Sequence, residues 1–427
     1  MFLREAFYVL PGFYWERSPR ERIEKRQVKK LNTFLDNARA AVPFYKNNDT
    51  YNRKITSLDD MNKFPVLNKA IVRDAGSGIH NEKYCKPGKA RALPTSGTTG
   101  EPMTYFHDER DYARFSGANV RKVMATKKYS PFFITLHITI LFNKKKGIYE
   151  RFGLFRRNVV ASYLKIDELK KIILDTRPDC LVAYPVYVGD IVAAMTEEEL
   201  EEARKFIKCI FTESETLPRH LRDYIQDSLD VEIFEDYASH DSLSITYECS
   251  HHRHHIVEDR IYLEILDDEG RSVPDGVEGN IVITSYLERA MPMLRYSSGD
   301  KGIRSSEPCP CGRTFRTLRL TKARANDCIY LKNGLKIYSS TLVDLPTYIA
   351  GLRQLHVRQN VEGEITVYCV PFMQDGSDNE SIIAFVLQYF KEHFNVRPNV
   401  EITCVIPRTK GGKAQLMHSE MTERNDC

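Results

Sequence analysis

Between residues 19 and 42 the apolar positions Val28, Leu31, Leu35, Ala38 and Val42 recur at spacings of three and four, with Lys and Arg around them. That spacing predicts a helix with one buried face, and Pro43 ends it because proline cannot continue the ladder. From about residue 85 to 240 helical and strand-like stretches alternate, the pattern of an α/β domain. Leu164–Thr176 reads as a helix, Cys180–Tyr184 as a buried strand, Leu217–Ser228 as a helix and Val231–Phe234 as a strand. Strand signals dominate from 256 to 320, with Ile256–Ile265 and Gly279–Ser285 each read as one strand. Asn333-Gly334 between Cys328–Leu331 and Leu335–Tyr338 is a hairpin turn signal. A domain boundary is expected just before it, near 322–327. The division is then 1–322 for a large α/β domain and 323–427 for a small α+β domain with a charged tail.

A chain of 427 residues with 42% apolar and 28% charged residues suits a multi-domain soluble protein. A net charge of +4, with no basic stripe interleaved with aromatics, argues against nucleic acid as partner. No apolar run approaches the length of a membrane span. Arg4, Glu5 and Pro11 interrupt the apolar start, so no secretory signal is expected. Ten cysteines, mostly dispersed, fit a reducing cytoplasmic setting better than a disulfide scaffold.

The stretch Thr95-Ser96-Gly97-Thr98-Thr99-Gly100 holds four hydroxyl residues and two glycines. Such a loop can turn N–H groups and hydroxyls onto a polyphosphate, since glycine lets the backbone approach closely. It lacks the Gly-Lys-Ser/Thr ending of a Walker loop. Further segments follow in order: Phe211-Thr-Glu-Ser-Glu-Thr-Leu217, Asp236-Tyr-Ala-Ser-His-Asp241, Arg295-Tyr-Ser-Ser-Gly-Asp300, Arg324-Ala-Asn-Asp327 and Pro407-Arg-Thr-Lys-Gly-Gly-Lys413. Together they resemble the signature segments of the adenylate-forming enzymes. Val42-Pro-Phe-Tyr45, Phe64-Pro-Val-Leu-Asn-Lys69, Ala290-Met-Pro-Met-Leu-Arg-Tyr296 and Pro308-Cys-Pro-Cys-Gly-Arg313 resemble the phenylacetate–CoA ligase family, its CapK-like branch above all.

The resemblance implies an α/β adenylation domain followed by a small mobile α+β domain, with a hinge near Ala325-Asn326-Asp327. It implies ATP and Mg²⁺ as cofactors and a small carboxylic acid as substrate. Thr95, Ser96, Gly97, Thr98, Thr99 and Gly100 would wrap the triphosphate. Ser214, Glu215 and Thr216 with Asp236, Tyr237 and Ala238 would frame the adenine, Tyr237 stacking on it. Asp300 would bind the ribose, approached by Arg324. Asp241 stands where the family has a Glu that helps hold Mg²⁺, and Lys413 where it has the lysine bridging carboxylate and α-phosphate. His137 and Tyr184 are candidate walls of the acid pocket. Departures from the pattern are Asp241 itself, His240 for Ser or Thr, Ser297-Ser298 for Arg-Thr, and Asn326 for Asp.

The chemistry supports this set without the family. A carboxylate attacking the α-phosphorus of ATP brings two anions together, so cations and N–H donors must face the gathering charge. An Asp suits a hard cation, and a lysine is a compact point charge. The acyl-adenylate could pass to coenzyme A, to a carrier protein, or to an amine. An inactive ATP-binding regulator and a zinc-containing nucleic-acid-binding protein are readings from other classes. Separately, Cys309-Pro-Cys311 puts two thiolates on one turn, a metal-ligand spacing or a reduced surface turn. With Cys249 and His255 upstream, which resemble the family's zinc ligands, the four would make a closed structural Zn²⁺ site. His251, His252 and His254 remain rivals for the fourth place.

Overall fold

The amphipathic helix forms as Arg20–Ala41, and it buries Ile23, Gln27, Leu31, Phe34, Leu35 and Ala38. Val42 turns extended and Pro43 opens a new short helix, as its fixed φ and missing N–H dictate. The computed structural model describes residues 11–86, 88–94, 103–139, 148–215, 217–322, 328–331, 336–342, 345–372, 375–406 and 416–421. Of the sequence-predicted residues, the loop 95–100, Thr216, Arg324, the hinge 325–327 and Lys413 lie outside them. The chain packs into two units. One comprises Met1–Phe133, Lys144–Arg156 and Phe234–Thr321; the other comprises Ile134–Asn143, Arg157–Ile233 and Lys322–Cys427.

In the first unit the helix packs with Tyr45, Tyr51, Phe64, Met291, Leu294 and Tyr296 in one core. The main sheet runs in the order Thr246–Glu248, His254–Ile256, Thr317–Lys322, Tyr296–Ser305, Glu278–Thr284, Tyr262–Leu266. The single strand expected over Ile256–Ile265 is therefore two strands. A turn intervenes, closed by Arg260 and Ile261 N–H groups on the Val257 carbonyl. Distant cations hold it: Arg121 donates twice to Asp259, at 3.0 and 2.8 Å, and Arg20 twice to Glu258, at 2.6 and 2.9 Å. Such bidentate pairs stabilise a bend that an apolar run alone would not signal.

The second unit carries a five-stranded sheet ordered Arg156–Ala161, Ile134–Thr139, Cys180–Ala183, Cys209–Thr212, Glu232–Glu235. The three middle strands are parallel and bury Leu136, Ile138, Leu181, Ala183, Ile210 and Phe211, as strands covered on both faces do. Helices Ile166–Thr176, Pro185–Ala193 and Arg219–Leu229 contribute Leu169, Ile173, Val188, Leu221 and Ile225 to this core. The C-terminal part of the unit is a four-stranded sheet, Asn399–Ile402, Ile365–Pro371, Leu352–Gln359, Met417–Ser419. Helix Asn379–Phe394 covers it with Ile382, Val386 and Phe390, one turn apart on a single face. The hairpin signalled by Asn333-Gly334 pairs Cys328–Tyr330 with Lys336–Tyr338 antiparallel. Within this unit Arg353 meets Asp190 at 2.8 Å and Gln354 donates to the same carboxylate at 2.7 Å. Among the described residues no helix is long and apolar enough to cross a membrane.

Candidate active site and metal cluster

Ligands of open parallel sheets collect outside the carboxyl ends of the strands. There the second unit assembles polar side chains from three successive strands of the sheet. His137, on Ile134–Thr139, meets Glu213 just past Cys209–Thr212, with Nε2 2.8 Å from Oε1. Tyr184 follows Cys180–Ala183 and caps helix Pro185–Ala193. Burial pushes its hydroxyl up to about 12, and the carboxylates of Glu213 and Glu215 add to the shift while Ser214 opposes it. Ser214 takes a left-handed conformation, φ 69°, which turns the chain sharply after the strand. The sequence had singled out His137, Tyr184, Ser214 and Glu215. It gave Glu213 no separate role, although this carboxylate is the partner that fixes His137.

In the first unit Tyr237 and Asp300 come together, with the Tyr237 hydroxyl donating to Asp300 Oδ2. The local cause is a bulge. Val282 pairs with Ser297 and Asn280 with Lys301, so Ser298-Gly299-Asp300 leave the ladder. Gly299 sits at φ +85°, a conformation that glycine adopts without cost. Burial, with Asp300 beside it, pushes the Tyr237 hydroxyl well above its ordinary value, so it remains a donor. The Asp236 side chain is engaged by Lys122 at 2.7 Å, both nearly buried, and so acts on the loop's position. Arg295, close to Asp300 in sequence, has a different task. It grips Glu264 with Nε and Nη2 at 3.1 and 3.0 Å and donates to the Phe64 carbonyl.

Ala238–Ser239 pairs with Leu243–Ser244 in a tight hairpin, and Asp241 lies at its turn. Ser239 donates to the Asp241 carboxylate. His107 Nε2 donates to the His240 carbonyl at 2.7 Å, because a carbonyl can only accept. Burial lowers His107 to about 4, so it is neutral at physiological pH. Burial, then Asp111 and also Asp241, push Glu288 well above the usual carboxylate range. Asp111 rises to about 7 through burial and the nearby Asp108. Asp241 thus adds to the negative surroundings that hold the Glu288 carboxyl toward its neutral form. Among the described residues it is not part of a converged group of three metal donors. A Mg²⁺ here would draw its other ligands from phosphate and water, which is that ion's habit. Neither Glu288, Asp111 nor His107 was singled out by sequence, since each lies far from this loop along the chain.

The Cys/His group does converge. One donor atom each from Cys249, His255, Cys309 and Cys311 lies within 4.8 Å of the others, and all four residues are buried. Cys249 and Cys309 sulfurs are 3.7 Å apart, and Cys311 Sγ is 3.3 Å from His255 Nε2. His255 Nδ1 donates to the Phe315 carbonyl at 2.9 Å, which leaves Nε2 to face the thiols, as in metal-bound histidines. Contact with the cysteines singles out His255 among the rival histidines. His255 stands opposite Tyr247 and Thr317. His252 instead meets Glu248 at 2.9 Å, and His254 faces away from the cysteines by strand alternation. The cysteines are free thiols, a donor set that could hold one tetrahedral ion.

No family model matches the chain. By sequence it is similar to phenylacetate-coenzyme A ligase of Thermus thermophilus, 23% identical over 93% of this chain and 96% of that protein. It is similar also to phenylacetate-coenzyme A ligase of Aromatoleum evansii, 22% identical over 77% of this chain and 76% of that protein. Its fold matches 2-hydroxyisobutyryl-CoA ligase in complex with 2-HIB-AMP, with a TM-score of 0.77, 19% identity, and coverage of 95% of this chain and 91% of that one. The chain therefore has the α/β fold of the adenylate-forming enzymes. Within that class it is related to the phenylacetate–coenzyme A ligases, an AMP-forming group of acid–CoA ligases.

Proposed function

We propose that this protein activates a small carboxylic acid with ATP, releasing pyrophosphate, and passes the acyl group to the thiol of coenzyme A. The supporting observation is the end-to-end similarity to a phenylacetate-coenzyme A ligase, 93% of one chain against 96% of the other. In this reading residues 1–322 bind nucleotide and acid, and residues 323–427 bring Lys413. Thr95–Gly100 cradle the triphosphate. Ser214-Glu215-Thr216 and Asp236-Tyr237-Ala238 frame the adenine. Asp300, with one oxygen engaged by Tyr237, uses its remaining acceptor capacity on the ribose, with Arg324 at the same sugar. Asp241 helps to hold Mg²⁺, which neutralises phosphate charge. Lys413 stabilises the charge that grows as the acid oxygen meets the α-phosphorus. His137 and Tyr184 line the acid pocket, and the resemblance of the sequence motifs supports membership of the CapK-like branch. The Cys249, His255, Cys309, Cys311 group holds a structural Zn²⁺, since four protein ligands leave no open position.

The test is a product assay. The protein is incubated with ATP, Mg²⁺, coenzyme A and a panel of carboxylic acids, and products are read by mass spectrometry. AMP and an acyl-CoA in equal amounts are expected with at least one acid. AMP formation that requires an added amine in place of coenzyme A would replace the acceptor proposed here. ATP binding with no acid-dependent AMP would identify a nucleotide-binding regulator instead.

A further inference from the structure

The hairpin that supplies Cys249 and His255 has a second face. In the pair Thr246–Glu248 and His254–Ile256, Tyr247 stands opposite His255 and Glu248 opposite His254. Side chains alternate along a strand, so His255 and Tyr247 share one face while Glu248 and His254 share the other. A third donor arrives from Glu235, the last residue of strand Glu232–Glu235. One carboxylate oxygen each from Glu235 and Glu248 and one ring nitrogen of His254 lie within 4.8 Å of one another.

We propose that Glu235, Glu248 and His254 form a second metal site, for a divalent cation of the Zn²⁺, Co²⁺ or Mn²⁺ class. Ligands bound to one such ion at about 2.0–2.2 Å stand at most about 4.4 Å apart. The observed spread therefore closes with small side-chain rotations. The site is also held in advance. Glu248 is 2% exposed; its Oε2 accepts from the Glu235 backbone N–H at 2.6 Å and its Oε1 lies 2.9 Å from His252 Nδ1. The Thr246 hydroxyl lies 3.4 Å from His254 Nδ1 and orients that ring. His252 is itself fixed, stacked on Phe234 with ring centroids 5.3 Å apart. Outer partners of this kind set the angle of metal-ligating carboxylates and imidazoles.

The donor set gives the class of ion. One imidazole with two carboxylates suits borderline divalent metals, whereas an all-oxygen site would suit Mg²⁺ or Ca²⁺ and thiolates would suit Cu(I). Two carboxylates drawn this close also repel each other unless positive charge lies between them. Three protein ligands leave coordination positions open, unlike the closed Cys/His group on the other face. Because Glu248 precedes Cys249 and His254 precedes His255, two ions would brace one hairpin from both sides. Nothing in this site depends on ATP or on the acid.

The experiment titrates the full-length protein, as purified, with Zn²⁺ by calorimetry and with Co²⁺ by absorption. The wild type is expected to take up one further equivalent, and Glu235→Gln and His254→Ala to take up none. Added Zn²⁺ should raise the melting temperature of the wild type and leave both variants unmoved. Glu235 is partly exposed, so its amide variant keeps the fold and carries the comparison if His254→Ala melts early. Co²⁺ separates the two sites, since only the cysteine group gives a thiolate charge-transfer band. The further equivalent must bind without that band. If the protein purifies without metal, the wild type should take up two equivalents and Glu235→Gln one. Equal uptake by wild type and Glu235→Gln, or uptake seen only through the thiolate band, overturns the proposal.

Discussion

Replacing Lys413 with Ala is expected to slow acyl-adenylate formation by about 10²–10³, the usual cost of losing one preorganised charge at a transition state. ATP binding should fall little, because in the proposed reading the lysine would meet charge that develops only as the acid attacks the α-phosphorus. Single-turnover pyrophosphate release gives the first quantity and calorimetric ATP binding the second. Arg would restore the charge but not the point geometry of an ammonium, so Lys413→Arg should recover only part of the rate. An undiminished rate in Lys413→Ala would assign the lysine no part in adenylation.

Replacing Cys309 with Ser is expected to remove zinc and lower stability together. Free Zn²⁺-binding energies in small structural domains reach about 10–16 kcal/mol, against a total stability of about 5–15 kcal/mol for a typical fold. Even a fraction of the former would bring this protein close to unfolding. The cluster joins the Cys249 hairpin to the Cys309–Cys311 turn, so both ends lose their anchor when the ion leaves. Elemental analysis and thermal melting check the two halves of this expectation. About one zinc per chain should be present in the wild type and absent in the variant. A variant that melts like the wild type, or a wild type with no metal in it, would leave these thiols as a packed cluster of apolar character.

The parts of the fold that were legible are those set by local periodicity. Helix Arg20–Ala41 follows from the spacing of Leu31, Leu35 and Ala38, and Cys180–Ala183 from an apolar run between breakers. Val257–Arg260 was not legible as a turn, because its apolar flanks continue the strand pattern. The bend depends on Arg121 and Arg20, which approach from far away in sequence. The same limit applies to the site. Motif order pointed to Tyr237 and Asp300, and their hydrogen bond joins them in the fold. It could not show that Lys122 occupies Asp236, that Glu213 holds His137, or that Arg295 serves Glu264. Among the histidines of residues 251–255, composition left every choice open. The fold makes the choice, by bringing His255 Nε2 to 3.3 Å from Cys311 Sγ.

Exchange of labelled pyrophosphate into ATP, driven by a carboxylic acid with no acceptor present, probes the proposed chemistry at its first step. The reaction requires the acid oxygen to displace pyrophosphate reversibly at the α-phosphorus, and no thiol, amine or carrier enters it. Exchange should appear with at least one acid of a broad panel, depend on Mg²⁺, and vanish without the acid. Tight ATP binding with no exchange from any acid, or cleavage of ATP to ADP rather than AMP, would contradict adenylation as the function of this protein.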